Sequence, residues 1–112
     1  MKNPKIKFKN DSYKKSRGGY SRLLDISCAK CGNHLLLYQK DGPGILKRMY
    51  LDRVYESELY AGLDKLSLTK VPKLVCSSCK ELIGVPYIYE KENRLAFRLF
   101  VGSVTKKIVK SR

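Results

Sequence analysis

The chain has four cysteines, and they fall as two pairs of identical spacing: Cys28 and Cys31 in "CAKCG", Cys76 and Cys79 in "CSSCK". A CxxC pair on a tight turn aims both sulfurs at one point. Two such turns supply the four thiolates of a closed tetrahedral zinc site, with about 2.3 Å per Zn–S bond and no open coordination position. Such a site requires two loops far apart in sequence to end side by side, so it restricts the fold more than any other feature. The 44 residues between Cys31 and Cys76 exceed the roughly 15–20 of common ribbon spacing, but loop-closure cost grows only slowly with length. The expectation is one structural zinc on Cys28, Cys31, Cys76 and Cys79. Reduced core thiols or a redox pair are the alternatives, and a redox pair normally sits at a helix N-terminus, which neither pair shows.

No apolar stretch of signal-peptide length opens the sequence, and no run of about eighteen apolar residues occurs. The expectation is a cytoplasmic chain, in a reducing compartment where CxxC pairs are metal ligands more often than disulfides. Gly32 follows the first pair, where a knuckle needs a backbone tolerant of positive φ, whereas Lys80 takes that place after the second. Lys30 and Lys80 stand beside the pairs as cations that offset the negative charge of four thiolates on a divalent ion. His34 is the only histidine and reads as a strand-start residue, since four cysteines already complete the ligand set. One histidine, with no GxSxG, P-loop or dinucleotide glycine signature, gives no catalytic constellation, so no enzymatic activity is expected.

At 112 residues the chain is long enough for one modest core, which a metal staple would help. Residues 1–22 show neither a twofold nor a 3.6-residue period and read as a disordered basic arm. Residues 23–105 read as a zinc-knuckle β domain, and residues 106–112 as a basic end. Strand candidates are "YSRLLDIS", "KLVCSSC", two runs around the polar turn Glu90 to Asn93, and the alternating "SVTKKIVK". "HLLLYQK" and "ILKRMYLDRVY" flank "DGPG" and read as a β-hairpin. "ESELYAGLDKLSL" is the only helix-compatible stretch, limited by Gly62 to a turn or two. The fold class expected is mostly β: a small antiparallel sheet domain, β-tent or zinc-ribbon-like, pinned by two knuckles.

Within "CAKCGNHLLLYQKDGPGILKRMYLDR", residues Cys28, Cys31, His34, Leu35, Asp41, Gly42 and Pro43 match one pattern. The stretch resembles the second zinc knuckle of the methionine-R-sulfoxide reductases. It covers about a quarter of the chain. Where that family has its nucleophilic cysteine, this chain has Met49, Tyr50 and Leu51, and the matching knuckle comes first here rather than second. The resemblance therefore implies a fold, a β-tent of antiparallel sheets pinned by two knuckles, and not sulfoxide reduction.

The net charge of +14 is uneven: residues 1–22 carry +7, residues 23–90 carry +1 and residues 91–112 carry +6. Basic ends on a neutral middle suit a polyanion, because each Lys or Arg on a phosphate releases counterions. The expected contacts are Lys5, Lys7, Lys9, Lys14, Lys15, Arg17 and Arg22 in the arm, and Arg94, Arg98, Lys106, Lys107, Lys110 and Arg112 near the end. Phe8, Tyr13 and Tyr20 interleave with the arm cations as stacking faces, and Tyr87 and Tyr89 project to one side as further base platforms. RNA is expected in preference to DNA, with the ribosome as one such partner, because no recognition helix is legible. Membrane binding is not expected, since the tails lack an amphipathic apolar face. The other reading is a protein-interaction or chaperone-like β-tent module whose groove binds a peptide or small ligand.

Overall fold

A computed structural model of the chain describes residues 7–57 and 59–109. The described residues form one short helix, α1 (Ser12–Ser16), and eight strands: β1 (Ser21–Cys28), β2 (His34–Asp41), β3 (Arg48–Tyr50), β4 (Val54–Tyr55), β5 (Leu74–Val75), β6 (Leu82–Tyr89), β7 (Arg94–Leu99) and β8 (Val104–Val109). They build two four-stranded antiparallel sheets, ordered β4-β2-β1-β8 and β3-β7-β6-β5. The protein is mostly β. No described helix is long and apolar enough to cross a membrane.

The core lies where the sheets face each other, with Leu24, Ile26, Leu36 and Tyr38 from the first sheet against Met49, Leu74, Ile83 and Phe97 from the second. Register explains the assignment: Leu24 lies opposite Tyr38 and Ile26 opposite Leu36, so one pleat face of β1 and β2 is apolar. Tyr60 closes one side by meeting Phe97 edge to face at 5.7 Å. Its hydroxyl reaches the chain around β5, donating to the Lys73 and Val75 carbonyls and accepting from the Val75 N–H.

Three expectations need correction. The segments flanking "DGPG" are not a hairpin, because β2 and β3 belong to different sheets and Ile45 to Lys47 cross between them. Leu46 packs on the core during that crossing, and β2 pairs instead with β4, after a 3-10 turn over Leu51–Arg53. The turn chemistry was real, but burial of Leu46 and Met49 decided which sheet the chain joined next. Among its described residues the helix-compatible stretch forms short turns in place of an α-helix: Ala61 N–H donates to the Ser57 carbonyl at 3.1 Å, and 3-10 turns follow at Leu63–Lys65 and Leu68–Lys70, because Gly62 at φ 80° breaks the helical run.

The third correction concerns the basic arm. The boundary at residue 22 falls inside β1, the boundary at 106 inside β8, and the described part of the arm is docked. Asp11 caps α1 by accepting the Lys14 N–H and also accepts from Arg53 at 2.7 Å. Lys9 exchanges two backbone hydrogen bonds with the Gln39 amide, and its ammonium donates to the Asp52 carbonyl. Gly42 makes room for the arm, because a Cβ there would stand 2.3 Å from the Arg17 carbonyl oxygen. Two of these partners, Arg53 and Gln39, are buried polar side chains, which an argument from periodicity does not detect.

Candidate metal centre and basic cleft

Each knuckle is a turn fixed by two backbone hydrogen bonds. In the first, Gly32 N–H donates to the Cys28 carbonyl at 2.8 Å and Cys28 N–H to the Asn33 carbonyl at 2.9 Å. The second repeats this pattern with Lys80 N–H to Cys76 and Cys76 N–H to Glu81, both at 2.9 Å. Gly32 sits at φ 80° and Lys80 at φ 66°, so the lysine takes a left-handed conformation that glycine adopts without strain. The two knuckles thus have one geometry despite the sequence difference.

The first knuckle joins β1 to β2 and the second joins β5 to β6, so each belongs to a different sheet. All four sulfurs lie within 4.8 Å of one another. The closest approaches cross between knuckles, Cys28 to Cys79 at 3.7 Å and Cys31 to Cys76 at 3.6 Å. A tetrahedral thiolate site with metal–sulfur bonds of about 2.3 Å has sulfur–sulfur edges of about 3.8 Å, whereas a disulfide brings sulfurs to about 2.0 Å. The donor set fits a four-coordinate cation.

Backbone N–H groups of Cys79 and Ser78 hold the Cys76 thiol down to about 6. Cys79 goes the other way: the Glu81 backbone lowers it, but burial and the neighbouring thiols together push it up to about 12. Four thiols in contact cannot all ionise without a cation among them. Around them, Lys30 pairs with Glu81 at 3.4 Å, Lys80 donates to the Ser77 carbonyl, and the Asn33 amide lies 4.0 Å from the Cys76 sulfur. Sequence reasoning missed Asn33. His34 opens β2 and bonds Asp25 at 2.6 Å, outside the sulfur cluster.

The cations expected to meet nucleic acid separate into three groups. Lys5 and Lys110, with Arg112, lie outside the described residues. Arg94 is withdrawn from any partner: it is buried, pairs with Asp52 at 2.7 Å and Glu92 at 3.1 Å, and stacks at 3.8 Å on Tyr50 and 4.0 Å on Tyr13. Buried Arg53, in contact with Asp11, Asp41 and Asp52, completes this network. Arg94 and Arg98 do share a face of β7, as their spacing required, but docking of Tyr13 covers the Arg94 end.

The third group surrounds the crossing segment between β2 and β3. Grooves on its two sides are lined by Arg17, Arg22, Lys40, Lys47, Arg48, Arg98 and Lys106. Of these only Arg17 makes an ion pair among the described residues, with Glu92 at 2.8 Å. Partial burial, with Arg22, Arg17 and Lys106 nearby and Asp41 alone opposing them, holds the Lys40 ammonium below its ordinary range. The Arg22 Nε is buried with no hydrogen-bond partner. Lys7, Lys15 and Lys107 are exposed elsewhere, and Lys14 lies over the Phe8 ring at 5.6 Å.

Lys40, Lys47 and Arg48 come from the part of the sequence that is neutral on average, so the charge map missed them. Its acids Asp41 and Asp52 are taken up by Arg53 and Arg94, which leaves those cations in excess. Tyr87 and Tyr89 share a face with Arg48 and Arg98, and the guanidinium groups lie over the rings: Arg48 4.2 Å from Tyr89 and Arg98 5.2 Å from Tyr87. Compared with known families, curated proteins and solved structures, the chain matches none.

Proposed function

We propose that this chain is a small structural-zinc protein that binds nucleic acid, RNA in preference to DNA, with a structured assembly such as the ribosome as one setting. The observation that carries the reading is the set of grooves around the β2–β3 crossing, which seven cations line and of which only one is ion-paired among the described residues. A polyanion offsets that density of charge with one phosphate per cation. The basic ends named from sequence extend this surface rather than constitute it.

Zinc is the ion proposed, because four thiolates at tetrahedral spacing suit it and leave no open position. The accompanying fold reading is a β-tent with the two knuckles as its apex, supported by each knuckle belonging to a different sheet. The likeness of Cys28 to Arg53 to the sulfoxide-reductase knuckle supports the same reading. Met49 and Leu51, where a nucleophile would fall, are buried apolar residues, so the role proposed is binding rather than catalysis. A cytoplasmic setting keeps the four thiols reduced and available to metal.

A filter-binding titration of the chain against a stem-loop RNA over a range of salt concentrations tests this. Phosphates on all the cations of these grooves that lack an ion pair, Arg22, Lys40, Lys47, Arg48, Arg98 and Lys106, give a log–log slope of about −4 to −5.5. A flat salt response, or no binding at low salt, would remove the mechanism. A neutral apolar peptide bound with salt-independent affinity would instead favour the protein-interaction reading, for which exposed Ile45, Phe100 and Val101 offer a surface.

A further inference from the structure

The two sheets differ in how they meet the cleft, and the difference bears on what kind of nucleic acid fits. On the first sheet, Arg22 pairs in register with Lys40, and the groove there is lined by cations and the aliphatic Leu24 and Ile108, with no aromatic ring among the described residues. On the second, β3 and β7 bring Arg48 opposite Arg98, and β6 places Tyr87 on the same face. Arg48 donates to the Tyr87 hydroxyl at 2.8 Å, which holds its guanidinium in place beside the ring. Here the groove has a volume of about 610 Å³, and Phe100 and Ile45 stand on its rim, 46% and 79% exposed.

Large apolar side chains with that exposure cost solvation free energy in the free protein. A duplex presents phosphates and keeps its base faces stacked inside, so it would leave Phe100 and Ile45 wet. An unpaired base has a π-face that stacks equally well on an aromatic ring or a guanidinium plane. From this arrangement we infer that the groove between Arg48, Arg98 and Phe100 takes an unpaired nucleobase, with Lys106 on the phosphate beside it. The target class is single-stranded RNA or an unpaired loop. This deepens the nucleic-acid reading above and rests on it.

The test compares a fluorescent 12-nucleotide single-stranded RNA with the duplex formed from the same strand, by anisotropy at several salt concentrations. Phe100→Ala is expected to weaken single-strand binding about tenfold, leaving duplex binding and the salt slope unchanged. Lys106→Gln is expected to weaken both ligands and to flatten the single-strand slope by about 0.7. Phe100 and Lys106 are exposed, so the variants should melt with the parent, and Phe100→Tyr should retain binding because it retains the ring. Unchanged single-strand affinity in Phe100→Ala, or equal affinity for the two ligands, would overturn this inference. If both RNAs still bound with a steep salt slope, the broader reading would stand, whereas no salt-dependent binding of either would overturn both.

Discussion

Removing the proposed zinc should separate the two sheets, and the size of the effect follows from the positions of the cysteines. The cross-knuckle contacts, Cys28 with Cys79 and Cys31 with Cys76, tie loops from different sheets. Closing the 44 residues between Cys31 and Cys76 by a fixed link is worth about 4 kcal/mol in unfolded-chain entropy alone. Structural zinc sites supply about 10–16 kcal/mol of binding free energy, comparable with the whole stability of a domain, about 5–15 kcal/mol. The lower figure sets a floor: chelation should reduce the melting temperature by at least about 15 °C, and the larger figure abolishes the transition. The assay is metal content by mass spectrometry, then thermal unfolding by circular dichroism with chelator and after zinc is restored. Two serine variants separate ligation from packing. Cys76 is fully buried and Cys31 is exposed, so loss of packing alone would make Cys76→Ser costly and Cys31→Ser harmless. Shared ligation makes the two equally destabilising. Chelated and untreated protein melting together, or a harmless Cys31→Ser, would refute the argument.

Other expectations follow from single positions. Lys80→Gly relieves a left-handed backbone and should raise stability by about 0.5–1 kcal/mol, while Gly32→Ala at the matching position should cost about 1 kcal/mol from strain alone, since no atom lies within 4 Å of the added Cβ; denaturant melts measure both. Arg53→Met leaves Asp41 buried without its partner and should cost about 3–5 kcal/mol in the same assay. Acid should release the docked arm. Burial acts to raise both Asp11 and Glu92, but Arg53 with the Lys14 N–H at Asp11, and Arg17 with Arg94 at Glu92, hold them below their ordinary 3.8 and 4.5. A depressed carboxyl stabilises the folded state fully above its ordinary value and loses that contribution as pH falls through the lower, folded value. Amide exchange at Tyr13 to Arg17 should therefore be pH-corrected flat above about 4.5 and accelerate below it.

The cysteine cluster was legible because its signal is local. CxxC spacing fixes a turn, and two turns of one type leave few ways to bring four sulfurs together other than around one point. Strands β1, β6, β7 and β8 were legible for a similar reason, since alternation and the polar turn between β6 and β7 involve only neighbours in sequence. Residues 42–47 show where local information ends. "DGPG" demands a bend but does not say which sheet the chain enters afterwards, and burial of Leu46 and Met49 between two sheets settled that.

Charge divided in the same way. Composition established that the chain is strongly basic, but which cations face outward depended on which acids were used up inside. Asp11, Asp41, Asp52 and Glu92 pair with Arg17, Arg53 and Arg94 across separations of up to 75 residues. That pairing docked the arm, withdrew Arg94, and left Arg22, Lys40, Lys47, Arg48, Arg98 and Lys106 along the grooves around one crossing segment. The sequence by itself determined two cysteine pairs able to hold a metal ion, a β fold and an excess of positive charge. Only the tertiary structure decided where that charge gathers, because ion pairing is set by distance in space and sequence order records almost nothing of it.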